Sequence, residues 1–215
     1  REGGIRMKRL LHIIATPRGS DSRTLKVSEA FLNRIKEKYP GCYIDELNVA
    51  MEDLPSLSVP VVSGKYVLMG GGDLTGSFEK AWTGVVDHIE RFLAADGYLI
   101  STPMWNFSIP HTLKHYIDVI VQPKYPFRHT EKGPEGLVKE KKIAVISSRG
   151  GDYGPGSPFS QFDLQEPYLR TVFGFVGLTD ISFVNAQPMD MLGPETAGTK
   201  IEEAREQAWK AADTF

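Results

Sequence analysis

Short apolar runs that alternate with amphipathic segments constrain this chain more than any other feature. The first run is Leu10-Leu11-His12-Ile13-Ile14-Ala15, ended by Thr16-Pro17-Arg18-Gly19. Its near-continuous apolar character predicts a strand buried on both faces, the pattern of a parallel sheet. From Ser22 the period turns helical, with Leu25, Phe31, Leu32 and Ile35 recurring up to Tyr39-Pro40-Gly41. Cys42 to Val49 alternates in part and reads as a second strand. Residues 50–76 show no clear period and hold Pro55, Pro60, Gly64 and Gly70-Gly71-Gly72, so they read as a long irregular connection. Phe78, Trp82, Val85, Val86, Ile89, Phe92 and Leu93 then mark one face of the strongest helix. Ser77 is its expected N-cap and Gly97 its expected stop.

Tyr98-Leu99-Ile100-Ser101 is the third expected strand. A loop from Thr102 to Pro110 leads into a helix carrying Leu113, Ile117, Ile120 and Val121. Residues 123–140 are rich in proline, glycine and aromatics and read as a second long loop. Lys142 to Ser147 is a fourth strand, Leu164 to Val176 a helix, Asp180 to Asn185 a fifth strand, and Glu195 to Asp213 a final helix. Strict strand–helix alternation means a parallel sheet with helices on both faces. Five such strands with right-handed crossovers favour the flavodoxin-like order 2-1-3-4-5, a doubly wound α/β fold.

At 215 residues one domain accounts for the whole chain, read here as residues 8–215 behind a tail at 1–7. Residues Arg1 to Arg6 lack the apolar stretch of a signal peptide. Lys and Arg number 25 against 27 Asp and Glu, a net charge of −2 that argues against a large nucleic-acid footprint. No apolar run approaches the ~20 residues of a membrane span. The single cysteine, Cys42, forms no internal disulfide and fits a cytoplasmic protein.

In open α/β sheets ligands lie beyond the carboxyl ends of the strands, and three loops there stand out. Thr16 to Thr24 brings hydroxyls to a helix N-terminus, an anion site by geometry. It has neither Gly-Lys-Ser/Thr nor Gly-x-Gly-x-x-Gly, so a monoester phosphate such as that of FMN suits it better than a pyrophosphate. A plain polar turn capped by Ser22 explains the same residues equally well. Pro103-Met104-Trp105-Asn106-Phe107-Ser108-Ile109-Pro110 is apolar and aromatic where solvent is expected, which a flat heteroaromatic ligand would explain. Ser147-Ser148-Arg149-Gly150-Gly151 permits close backbone approach, with Arg149 available to neutralise a reduced flavin. A glycine turn with a surface arginine is its simpler alternative.

Pro103–Pro110 followed by Leu113-Lys114 and Asp118 resembles the flavin loop of the FMN-dependent NADH azoreductases and quinone reductases. Thr130-Glu131-Lys132-Gly133-Pro134-Glu135-Gly136-Leu137, Ser148–Gly151 and Gly174-Phe175-Val176-Gly177 resemble the same family, and the similarity runs from about Arg9 to the last helix. The resemblance implies FMN phosphate on Thr16, Ser20, Ser22 and Thr24, with Arg23 flanking. It implies the ring against Pro103, Met104, Trp105, Asn106 and Phe107, with Ser148, Arg149, Gly150 and Gly151 along the far edge. It also implies NADH or NADPH as donor, quinones and azo aromatics as acceptors, and a homodimer bounded by the long loops 50–76 and 123–140. Family members more often have tyrosine where Trp105 stands, have a longer first loop, and have an aromatic where His129 stands.

Tyr125, Phe127, Phe159 and Phe162 read either as loop packing or as the wall of a substrate site; with His129, Tyr125 and Phe127 are the substrate-binding candidates. His111 and His115 are one turn apart, but no carboxylate or cysteine partner is evident, so exposed helix histidines rather than metal ligands are expected. His12 reads as a packed residue. No protein acid–base pair is needed if a flavin carries the chemistry. A flavodoxin-like electron carrier is the first alternative, and an acyl-carrier-protein phosphodiesterase, an older label in the same family, is the second. The near-neutral charge and long loops speak against the first; the missing nucleophile or metal cluster speaks against the second.

Overall fold

The computed structural model of the chain describes residues 7–215. Its strands are β1 (Arg9–Ile14), β2 (Tyr43–Asn48), β3 (Gly97–Pro103), β4 (Phe127–Thr130), β5 (Gly133–Gly136), β6 (Lys142–Ser148) and β7 (Asp180–Ala186). The helices are α1 (Arg23–Lys38), α2 (Val59–Met69), α3 (Ser77–Leu93), α4 (His111–Ile120), α5 (Gln165–Phe175) and α6 (Gly193–Asp213). β2-β1-β3-β6-β7 form one 5-stranded sheet, and every neighbouring pair in it is parallel. This is the flavodoxin-like order expected from the alternation, with β6 and β7 as its fourth and fifth strands.

Alternate residues of each strand feed opposite cores, because strand side chains point to alternating faces. Leu11, Ile13, Tyr98, Ile100, Ile143 and Val145 face one way, against Trp82, Ile89 and Phe92 of α3, Ile117 of α4 and Phe173 of α5. Leu10, Leu99, Ala144 and Ile146 face the other way, against Val27, Phe31 and Ile35 of α1 and Ala204, Ala208 and Ala212 of α6. Each large apolar side chain buried this way contributes about 1.5–3 kcal/mol. The small alanines of α6 let it lie close to α1. Asp45 clamps the edge: Arg9 and Arg91 both ion-pair with it, at 2.5 and 2.8 Å.

Four local expectations need correction. Residues 50–76 are not irregular throughout, since α2 occupies Val59–Met69. Apolar residues run all round it, so it has no stripe for a 3.6-residue period to reveal. Residues 123–140 hold an antiparallel ribbon, β4 with β5, in the register Phe127↔Gly136 to Thr130↔Gly133. Gly136 is needed there because a Cβ would run into the Val176–Gly177 backbone. Gly76, at φ 61, caps α3, and Ser77 is already its first helical residue. Helix α3 ends at Leu93 with Ala94 as its C-cap, so Gly97 begins β3 instead of stopping the helix. Residues 1–6 of the expected tail lie outside the described residues, and Met7 is buried in the α1/α6 core.

Candidate functional site

The chain leaves β1 through a short 3-10 turn, Gly19–Asp21, and enters α1 at Ser22. The Ser22 side chain accepts from the Leu25 amide, the ordinary N-cap bond. No acceptor among the described residues takes the amides of Arg23 and Thr24, so the helix start retains free donors at the positive end of its dipole. Thr24 Oγ1 meets Ser148 Oγ at 2.8 Å, which joins the β1 exit to the β6 exit. Arg23 ion-pairs with Asp190 at 2.6 Å.

The other exits are stitched together by backbone bonds. The Met104 amide donates to Ser148 O at 3.0 Å. Beyond β7, the amides of Met189 and Asp190 donate to Arg149 O and Gly150 O, each at 3.0 Å. A cavity of about 200 Å³ lies between these exits, with Thr16, Ser22, Thr24 and Ser148 as its hydroxyls and Arg18, Arg23 and Asp190 as its charges. Pro103, Met104, Trp105, Arg149, Gly150 and Met189 complete its lining. A cavity of about 750 Å³ lies elsewhere, between β7 and α6, with Phe183, Asn185, Lys200 and Gln207 on its walls. It is larger but has no clustered hydroxyls, so the chemistry selects the smaller one.

Trp105 and Ser108 exchange both backbone hydrogen bonds, at 2.9 and 3.0 Å, which makes a two-residue hairpin of Asn106 and Phe107. Both sit in the left-handed region, at φ 47 and 71, as such a tight turn demands. Phe107 holds that conformation at a cost of order 1 kcal/mol, a strain typical of ligand-binding loops. The turn lifts aromatic surface into solvent: Trp105 is 40% and Phe107 47% exposed. Trp105 stacks on His111 with centroids 6.4 Å apart. Phe107 lies 5.5 Å from Phe162 and 6.3 Å from Tyr153. Trp105 also walls a second groove of about 460 Å³, with Asn106, His111, Lys114 and Tyr168.

Arg149 is not the free cation expected. It is 1% exposed and ion-pairs with Asp163 at 2.8 Å. It also donates to Ser147 Oγ and Gln165 Oε1. Gln165 in turn donates to Pro103 O at 2.9 Å, and Asp163 receives the amides of Gln165 and Glu166 at the start of α5. Arg149 therefore ties the β3 exit, the β6 exit and the α5 start together through Nε and Nη1, while its Nη2 is buried with no partner among the described residues.

Of the expected site residues, Thr16, Ser22, Arg23, Thr24, Pro103, Met104, Trp105, Ser148, Arg149 and Gly150 meet at one cavity. Ser20, exposed on the 3-10 turn, does not line it, nor do Asn106, Phe107 and Gly151. The substrate residues do not join it within one chain. Phe127 is buried against Phe175, Tyr125 packs on the α3 core, and His129 is exposed on the ribbon. His111 is exposed as expected, whereas His115 is half-buried and lies 3.0 Å from Pro55 O. Arg18, Met189 and Asp190 were missed. The rule that points to strand carboxyl ends, applied to β7 as well, would have flagged the last two.

The class follows from the sheet order and the site at its carboxyl edge: a family model described as flavodoxin-like fold matches residues 8–212, and the chain belongs to that family. An FMN-dependent NADH:quinone oxidoreductase of Nitratidesulfovibrio vulgaris (strain DP4) is 40% identical over 97% of this chain and 100% of its own length. The crystal structure of an azoreductase from Bacillus anthracis str. Sterne is 32% identical, with a TM-score of 0.87 over 97% of this chain and 100% of that one. A second, an FMN-dependent NADH-azoreductase from B. anthracis str. Ames Ancestor in complex with FMN, is 30% identical with a TM-score of 0.82, over 96% of this chain and 100% of that one. Within the flavodoxin-like proteins, this chain is a member of the FMN-dependent NADH:quinone oxidoreductase and azoreductase family.

Proposed function

We propose that the chain is an FMN-dependent oxidoreductase that passes electrons from NADH to quinones and azo aromatics. The observation that carries this is the join of three hydroxyls and two free helix amides to an exposed aromatic hairpin across one cavity. The donors suit a phosphate dianion and the hairpin suits a flat ring, so the residues present fit FMN. The family's FMN-bound member supports the same fit.

Thr16, Ser22 and Thr24 would hold the phosphate with the amides of Arg23 and Thr24, and Arg18 and Arg23 would add charge. Asp190, paired with Arg23, limits that positive field. Pro103 to Phe107 would lie along the ring, and Ser148, Gly150 and Gly151 along its polar edge, where glycine lets backbone amides approach. When bound, FMN would supply two-electron redox chemistry between NADH and the acceptor, with ring N5 as the hydride-accepting atom. Trp105, Phe107 and Phe162 would exclude water beside the ring and leave one face for donor and acceptor in turn, and ping-pong kinetics are the expected consequence. Arg149, paired with Asp163, holds loops in register and keeps its Nη2 without a partner among the described residues at the cavity wall.

We also propose a homodimer. Val59, Val62, Tyr66 and Met69 leave an apolar face exposed on α2. Beside it runs a groove of about 500 Å³ lined by Leu57, Ile117, Val121 and Val172. A second copy covering that face would bring loops 50–76 and 123–140 to the boundary and supply walls that one chain lacks. No described helix is long and apolar enough to cross a membrane. Action in the cytoplasm is part of the same proposal, and the free thiol of Cys42 is compatible with it.

Cofactor released by heat and separated by chromatography tests the reading. FMN is the expected product; FAD, or no flavin after reconstitution with FMN, overturns it.

A further inference from the structure

Helix α1 presents one stripe to the sheet, and that stripe changes chemistry along its length. Ile35, Phe31 and Val27 are apolar, whereas Ser28 and Thr24, at the N-terminal end of the same buried face, carry hydroxyls. The sheet beneath changes at the same level. On this face Leu10 and Leu99 give way to His12 and Ser101, diagonal neighbours on β1 and β3. His12 is 2% exposed, Ser28 and Thr24 1%, and Ser101 0%.

These side chains form one hydrogen-bonded series. His12 Nε2 lies 2.7 Å from Ser101 Oγ, and Ser101 Oγ lies 2.6 Å from Ser28 Oγ. Ser28 donates to the Thr24 carbonyl at 3.0 Å. A hydroxyl has one proton to give, so the direction is determined. Ser28 uses its proton on Thr24 O and must accept from Ser101. Ser101 must then accept from His12, so His12 carries its hydrogen on Nε2. Its Nδ1 is buried with no partner among the described residues, as befits a bare ring nitrogen. Burial also pulls the ring down to about 4, so it is neutral at neutral pH.

Burying polar groups is unfavourable unless each is paired, and an apolar core would be simpler here. The series ends on Thr24, whose hydroxyl and free amide belong to the cavity at the α1 start. We propose that His12, Ser101 and Ser28 are positioning residues for the phosphate-binding end of α1. Apolar contact sets how far a helix lies from a sheet but leaves its rotation loose. The directional bond from Ser101 on the sheet to Ser28 on the helix sets both, so the Ser22 and Thr24 hydroxyls and the amides of Arg23 and Thr24 converge on one phosphate.

This inference rests on the FMN reading, and its test separates the two. The dissociation constants of FMN and of riboflavin, which shares the ring and side chain but lacks the phosphate, are measured for wild type, Ser28→Ala and Ser101→Ala. Each variant is expected to lower the riboflavin-to-FMN ratio of Kd about three- to tenfold, with riboflavin affinity unchanged. Ser28→Ala, the milder change, carries the test alone should Ser101→Ala not fold. Nitrogen-15 NMR of wild-type His12 is expected to show hydrogen on Nε2. Equal losses for both ligands, an unchanged ratio, or hydrogen on Nδ1 overturns the proposal and leaves the FMN reading standing. Wild type that binds no flavin overturns both.

Discussion

Trp105 and Arg149 flank one cavity, and burial gives them opposite roles. Trp105 is 40% exposed above its turn, with His111 stacked beside it. Trp105→Ala is therefore expected to cost under about 1 kcal/mol of stability, in the range of surface changes. It should still lower turnover with flat acceptors and change the quenching of flavin fluorescence. A loss of about 3–5 kcal/mol with an unaltered flavin spectrum would identify it as a core residue instead. Arg149 is the reverse case. Arg149→Met leaves the Asp163 carboxylate without its partner, and a broken buried pair costs about 3–5 kcal/mol. Urea unfolding of the flavin-free variant measures this, and unchanged stability with an altered flavin potential would return Arg149 to the ring. The sequence was legible for Trp105, because an aromatic hairpin between two prolines is odd at a strand end. It was not legible for Arg149, whose partner lies 14 residues on in an irregular loop.

The legible elements are those whose burial follows a simple period. β1, β3 and β6 are covered on both faces and read as apolar runs; α3 carries one stripe from Trp82 through Val85 and Ile89 to Phe92. α2 and the β4–β5 ribbon break that link. α2 is apolar on its outward side as well, and the ribbon is half glycine and charge, held by Arg128–Glu135 at 2.8 Å and by packing of Phe127 on Phe175. His12 at the centre of β1 gives this scale its own pH signature. Burial lowers it from 6.5 to about 4, so between those values the unfolded chain binds a proton that the folded one refuses. Stability then falls as pH drops through that window, by up to about 3 kcal/mol from this group. His12→Gln, which cannot titrate, should flatten that part of the profile of urea midpoint against pH. His88, also lowered by burial, adds the same slope to variant and wild type. Identical slopes in variant and wild type would show that His12 is not held neutral.

At the scale of the molecule, the parallel sheet delivers the exits of β1, β3, β6 and β7 to one edge. That convergence is why residues as far apart as Thr16 and Asp190 share a cavity. The order of the sheet was legible from alternation and handedness alone. The apolar face of α2 was not, because exposed Val59 and Tyr66 carry no periodic signal; it is the face the proposed second copy would cover. The central requirement is that the flavin site accepts electrons from NADH and returns them to an acceptor. Anaerobic titration of the FMN-loaded protein with NADH, followed by a quinone, examines it in one cuvette. The oxidised-flavin band should bleach in proportion to NADH added and recover on quinone addition. Bound flavin that NADH leaves oxidised would make the chain an electron carrier and contradict its assignment as an NADH-driven oxidoreductase.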